Sequence, residues 1–123
     1  MKDKDGLVPL RQRTTSFSLR VIRMYSGLPK SRVADTVGLQ ALRAGTSVGG
    51  QYREACRARS DAELISKLES ALQELDETSY WLELLVGGEI VKEKRLAPLM
   101  KEADELTAIL VTAVRKIKAR RKR

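Results

Sequence analysis

The chain has no histidine and a single cysteine, Cys56, among its 123 residues. It therefore lacks the commonest general base and metal ligand. A lone thiol with no imidazole to activate it reads as a buried or half-buried structural group rather than a nucleophile. One cysteine also excludes an intramolecular disulfide and suits a reducing compartment. Aromatic residues are scarce: Phe17, Tyr25, Tyr52, Tyr80 and Trp81 make up 4% of the chain. These are too few for a platform that stacks successive bases, so any nucleic-acid contact has to run through phosphates. No apolar run approaches the roughly 20 residues that span a bilayer, and the first residues lack a signal-peptide apolar region. The cytoplasm is thus the expected compartment, and no membrane is expected among the partners.

Positive charge, by contrast, is abundant. Twenty-four Lys and Arg oppose 16 Asp and Glu, giving +8 and a pI near 9.9. Such a balance favours acidic partners, nucleic acid first and phospholipid second. The charge is uneven: residues 1–32 hold eight basic and two acidic side chains, whereas 61–92 hold two and eight. An acidic third helix either makes intramolecular salt bridges or orients subunits, acidic face to basic face. The end of the chain carries Arg115, Lys116, Lys118, Arg120, Arg121, Lys122 and Arg123 with no acid among them. That density is the footprint of phosphate binding; the simpler alternative is a solvated end that aids solubility. Arg11, Arg13, Arg20 and Arg23 are the second candidates for phosphate contact.

Apolar spacing predicts helices near 14–26, 32–58, 61–86 and 96–119, with a flexible arm over 1–12 and a basic tail over 120–123. In the first, Phe17, Val21 and Met24 share a face, Thr14 or Thr15 caps the start, and Gly27 and Pro29 end it. The second has a small-sided stripe, Val33, Val37, Ala41, Ala44, Val48, Tyr52 and Ala55, with Gly45, Gly49 and Gly50 beside it. Each glycine costs a helix about 1 kcal/mol relative to alanine, so close approach of a neighbouring helix is expected there. The spacing does not fit a phosphate-binding P-loop. Ser60 and Glu63 make a capping box for the third helix. Its seam is Ile65, Leu68, Leu72, Leu75, Ser79, Leu82 and Val86, closed by Gly87 and Gly88. The fourth repeats the pattern with Leu96, Leu99, Ala103, Leu106, Leu110, Ala113 and Ile117. Pro98 belongs in a first turn, which sets the start at 95–97. The expected fold is an all-α, antiparallel, up-and-down four-helix bundle with shallow crossings.

Polar residues add detail. Gln40, Ser47 and Glu54 recur every seven residues, in one line bordering the apolar stripe. Polar groups near a core need partners, so these three are expected to tie the second helix to its neighbours, with Arg43 or Arg53 as the partner of Glu54. Glu74 and Glu77 share a face, but di-metal sites in bundles use Glu-x-x-His pairs, which are absent. Ion pairs with Arg43, Arg53 or Lys67 are the expected role of Glu54, Glu74 and Glu77; no metal, cofactor or catalytic residue is expected. Trp81, beside the seam, reads as core packing with its indole N–H on a partner. Leu39 and Leu42 lie away from the stripe and are the candidate subunit interface.

Several of these residues form a family pattern: Leu28-Pro29, Gln40, Arg43, Gly45-Thr46-Ser47-Val48, Tyr52-Arg53-Glu54-Ala55, Ser60, Lys67, Glu74, Glu77-Thr78 and Tyr80-Trp81-Leu82. Over residues 13–118 the chain closely resembles the four helix bundle protein family, also called 23S ribosomal RNA intervening-sequence proteins. It departs at Gly50-Gln51, where members commonly have Ala-Asn, so a hydrogen bond made by that Asn would need a shifted geometry. The resemblance implies a bundle, a homopentameric ring and no enzyme. It also implies likeness to the accessory protein of diversity-generating retroelements, a basic pentamer that binds a reverse transcriptase and nucleic acid. The ribosomal link reflects where some members' genes lie. Two functions follow as expectations: a non-catalytic oligomeric nucleic-acid-binding accessory protein, or an oligomeric protein-interaction scaffold whose charge is incidental.

Overall fold

The computed structural model describes residues 9–122, and its elements follow from where apolar side chains and caps fall. There are four helices: α1 (Leu10–Ser26), α2 (Arg32–Cys56), α3 (Asp61–Gly87) and α4 (Glu93–Arg121). Each packs on its neighbours in chain order, and α1 also meets α4, over a shorter stretch than the others. Among the described residues the backbones of the diagonal pairs do not approach closely, so the chain forms an up-and-down bundle with one shared core. Among the described residues no helix is long and apolar enough to cross a membrane.

The helix ends show why some boundaries moved. The first helix begins at Leu10, not near 14, because Leu10 is itself core and the Pro9 carbonyl accepts from Arg13 N–H at 2.8 Å. Thr14 is no cap: it is fully buried inside α1, with its hydroxyl on the Arg11 carbonyl. Only residues 9–12 of the expected flexible arm are described, and 10–12 are helical; 1–8 lie outside the described residues. Ser31 and Ser60 cap α2 and α3, accepting from Ala34 and Glu63 N–H, each at 3.1 Å. The reciprocal half of the capping box is not made: the Glu63 carboxylate accepts from the N–H of Arg59, one residue before the cap, at 3.5 Å. Pro98 lies inside α4, not in its first turn. Lys94 and Pro98 are both exposed, so the carbonyl robbed of its bond stays on the wet side of the helix.

The seam of α3 is displaced from the expected one. Ile65, Leu68, Leu75 and Leu82 are buried, but Ala71, Thr78 and Leu85 fill the positions expected of Leu72, Ser79 and Val86. A helix packed against both α2 and α4 buries a broader face than a two-helix seam. Likewise Val33 is 62% exposed and Ala34 opens the α2 stripe, while Val114 replaces Ala113 in α4. The glycines divide. A Cβ on Gly45 would meet the side chain of Val21 at 2.7 Å, so α1 and α2 approach closely there, as they do at Gly38 against Leu28 and Tyr25. Gly49 has ordinary contact distances, and Gly50 faces open space.

The α3–α4 link carries a strained residue. Ile90 N–H reaches the Leu85 carbonyl and Glu89 N–H that of Val86, each at 3.0 Å, the bonding of a Schellman stop. The residue this places in the left-handed region is Glu89, at φ 59°, not either glycine before it. An L side chain pays about 1–2 kcal/mol in that conformation. Glu89→Gly is therefore expected to raise stability by about 1 kcal/mol, read from denaturant unfolding. An unchanged or lower midpoint would show that the link is not strained.

Candidate nucleic-acid interface

Topology sorts the cations into two groups. An up-and-down bundle places the starts of α1 and α3 and the ends of α2 and α4 together. Arg115, Lys116, Lys118, Arg120, Arg121 and Lys122 lie toward that end, with Arg11 in the same half of the bundle but set back from the tip, since Arg13 meets the middle of α4; Arg123 lies outside the described residues. Arg57 and Arg59, in the α2–α3 link, join them. They were missed in the sequence because only the fold brings that link to the tail. Arg11, Arg57, Arg59, Arg115 and Lys116 are exposed, and none makes an ion pair among the described residues. Arg20 and Arg23 sit elsewhere, lining a cleft with Arg95 of α4.

Three of the expected phosphate ligands are already engaged. Arg13 donates from Nε and Nη2 to Glu102 at 2.8 and 2.9 Å, and from Nη2 to Glu105 at 2.7 Å, joining α1 to α4. Its reading as a free phosphate contact is corrected: two acids one turn apart on α4 use its charge. Lys118 pairs with Glu69 at 3.2 Å and Arg120 with Asp61 at 2.6 Å. The tail thus does not project freely. Helix α4 runs through Arg121, past the expected 119, and docks its last turns on the acidic start of α3. Hydrogen bonding from Arg120 holds the Asp61 carboxyl below its ordinary range.

The Arg13 cluster has a pH signature. Its hydrogen bonds lower the Glu102 carboxyl despite burial, which acts the other way. A lowered folded value contributes stability that is present above the ordinary carboxylate range and lost as pH falls through the folded value. Glu102→Gln should cost about 1–2 kcal/mol near neutrality and flatten the acid limb of a stability–pH profile. A parallel profile in the variant would exclude that role for the ion pair.

Of the line Gln40, Ser47, Glu54, the last two meet α3, Ser47 at Glu74 and Glu54 at Lys67. The partner of Glu54 is Lys67, at 2.7 Å, not Arg43 or Arg53. Arg53 instead reaches the Thr15 hydroxyl of α1 at 3.3 Å, and the exposed Arg43 makes no ion pair among the described residues, though its backbone carbonyl accepts from Ser47 at 2.8 Å. Glu74 makes no ion pair among the described residues. Burial, then the neighbouring Glu77, raises its carboxyl above the ordinary range, while Ser47 partly offsets this. The expected ion pairs of Glu74 and Glu77 are therefore replaced by a contact between the two acids. Beside this line the buried Oε1 of Gln51 has no hydrogen-bond partner among the described residues, at the position where the resemblance implies an Asn, a methylene shorter. Gln40 is half-buried, and Trp81 packs half-buried on the core, edge-on to Tyr80 at 5.1 Å. Its indole N–H has no partner among the described residues, contrary to expectation.

Two further readings change. Cys56 is exposed at the end of α2, not buried. Leu42 packs on the core and Leu39 is half-buried, so neither is the bare interface leucine expected. Exposed apolar side chains occur instead at Leu19 and Ile22 of α1 and Tyr80 and Leu84 of α3. No group of three His, Cys, Asp or Glu among the described residues is arranged to hold a metal ion.

The model of the 23S rRNA-intervening sequence proteins matches residues 9–112. The chain belongs to this family. The match ends before the cations of 115–123, so the tail lies outside the part that defines membership. Four solved chains match. One is a Bacteroides thetaiotaomicron protein of unknown function from the S23 ribosomal protein family, 32% identical, with a TM-score of 0.80 over 85% of this chain and 97% of that one. No curated protein matches.

Proposed function

We propose that this family member is a non-catalytic, cytoplasmic nucleic-acid-binding accessory protein, which holds phosphates at the bundle end where α1 and α3 start. The carrying observation is that exposed cations of α1, the α2–α3 link and α4, which make no ion pair among the described residues, lie in the half of the bundle toward that end. Phosphate contacts carry no base information, so sequence preference is low. A homo-oligomer, pentameric on the family resemblance, would multiply the patch, and the exposed Leu19, Ile22, Tyr80 and Leu84 supply apolar surface for subunit contacts. An enzyme acting on the same nucleic acid, such as a reverse transcriptase, is the partner that the resemblance offers.

The test is fluorescence anisotropy of labelled RNA and DNA of mixed sequence across a salt series. Affinity should fall steeply with salt. Replacing Arg57, Arg59, Arg115 and Lys116 by Gln should lower it by about 10- to 100-fold at moderate salt. Salt-independent affinity, or equal binding by the variant, would favour the protein scaffold.

A further inference from the structure

The seam between α1 and α4 is tied at one place by Arg13 with Glu102 and Glu105. Away from that tie it opens into a cleft of about 450 Å³, within the size range of small-molecule sites. Arg20 and Arg23 from α1 and Arg95 from α4 line it, together with Met24, Leu28 and Ile90. No acid lines the cleft, and none of the three arginines makes an ion pair among the described residues. Arg20 contributes to lowering the Glu102 carboxyl, but that carboxylate is already hydrogen-bonded by Arg13. Arg95 lies in the first turn of α4, whose start has no side-chain cap, so the amide dipoles of that turn add to the positive potential.

We propose that this cleft binds a small amphipathic organic anion, a carboxylate, sulfonate or phosphate head on an apolar body. Three cations around an apolar floor repel one another, and no carboxylate lining the cleft offsets that repulsion. An anionic head neutralises them, and guanidinium groups suit such heads through paired hydrogen bonds. The apolar lining speaks against a phosphodiester backbone, which offers no hydrophobic surface to cover it. A helix, about 10–12 Å across with its side chains, is too broad for this volume. The site is independent of the basic bundle end.

The probe is 1-anilinonaphthalene-8-sulfonate, with N-phenyl-1-naphthylamine, the same ring system without the charge, as control. Fluorescence titration of the full chain should show saturable binding of the sulfonate, one per chain, and at least tenfold weaker binding of the neutral compound. Arg95→Gln alone, an exposed change, should weaken sulfonate binding severalfold, and Arg20→Gln with Arg95→Gln by more than tenfold, leaving the neutral compound unaffected. Equal affinity for both probes, or sulfonate binding indifferent to these variants, would overturn the proposal. So would sulfonate binding that disappears in the Arg57, Arg59, Arg115 and Lys116 variant, because the anion would then sit at the other end. Nucleic-acid binding lost in that variant while sulfonate binding persists would keep the two sites separate.

Discussion

Leu106→Ala is expected to cost about 3 kcal/mol, and Leu72→Ala only about 1 kcal/mol. Both leucines stand on faultless heptads in the sequence, and hydropathy alone ranks them equal. In the fold Leu106 is fully buried in α4, whereas Leu72 is half-buried beside Ala71, which takes the interior position. Truncating Leu106 leaves a void that close-packed neighbours cannot fill, so the lost transfer energy and the cavity cost add. Truncating Leu72 removes only part of one hydrophobic contact at the rim. Denaturant unfolding of the two variants reads the difference directly; equal losses would return the α3 seam to the line of residues 72, 79 and 86.

Asp61→Asn combined with Glu69→Gln is expected to raise nucleic-acid affinity by about tenfold at moderate salt and to steepen the salt slope by up to about 2. In the folded chain these acids occupy Arg120 and Lys118, and a phosphate must displace a carboxylate before it can use either cation. Removing the acids frees two donors without adding a contact. The pairs are exposed and screened, so the fold itself should change little. Unaltered affinity and slope would mean that the docked turns of α4 take no part in binding.

Helix number and order were legible because the apolar residues of each segment recur at steps of three and four, and because Ser60 stands one residue before the helix it caps. The register of α3 was not. Ala71 and Thr78 carry weak hydropathy signals, while the adjacent Leu72 and Val86 carry strong ones at the edge of a face shared by two neighbouring helices. Gly45 was legible as a close approach but Gly50 looked the same, since a string of letters does not show which glycine faces a neighbour. The basic tail was visible as composition. Its docking on Asp61 and Glu69, the capture of Arg13 by α4 and the arrival of Arg57 and Arg59 beside the tail all depend on contacts between residues far apart in sequence. The cleft lined by Arg20, Arg23 and Arg95 was hidden for the same reason.

The most direct test compares the two ends of the bundle in one measurement, the slope of log affinity against log salt for a labelled RNA. The Arg57, Arg59, Arg115 and Lys116 to Gln variant and an Arg20, Arg23 and Arg95 to Gln variant are titrated beside the parent chain. Each phosphate contact contributes about 0.9 to the slope on a duplex and about 0.7 on a single strand. The account predicts that the first variant loses about 2 to 4 units of slope with most of its affinity, while the second keeps both. A slope that falls only in the second variant, or in neither, would contradict it.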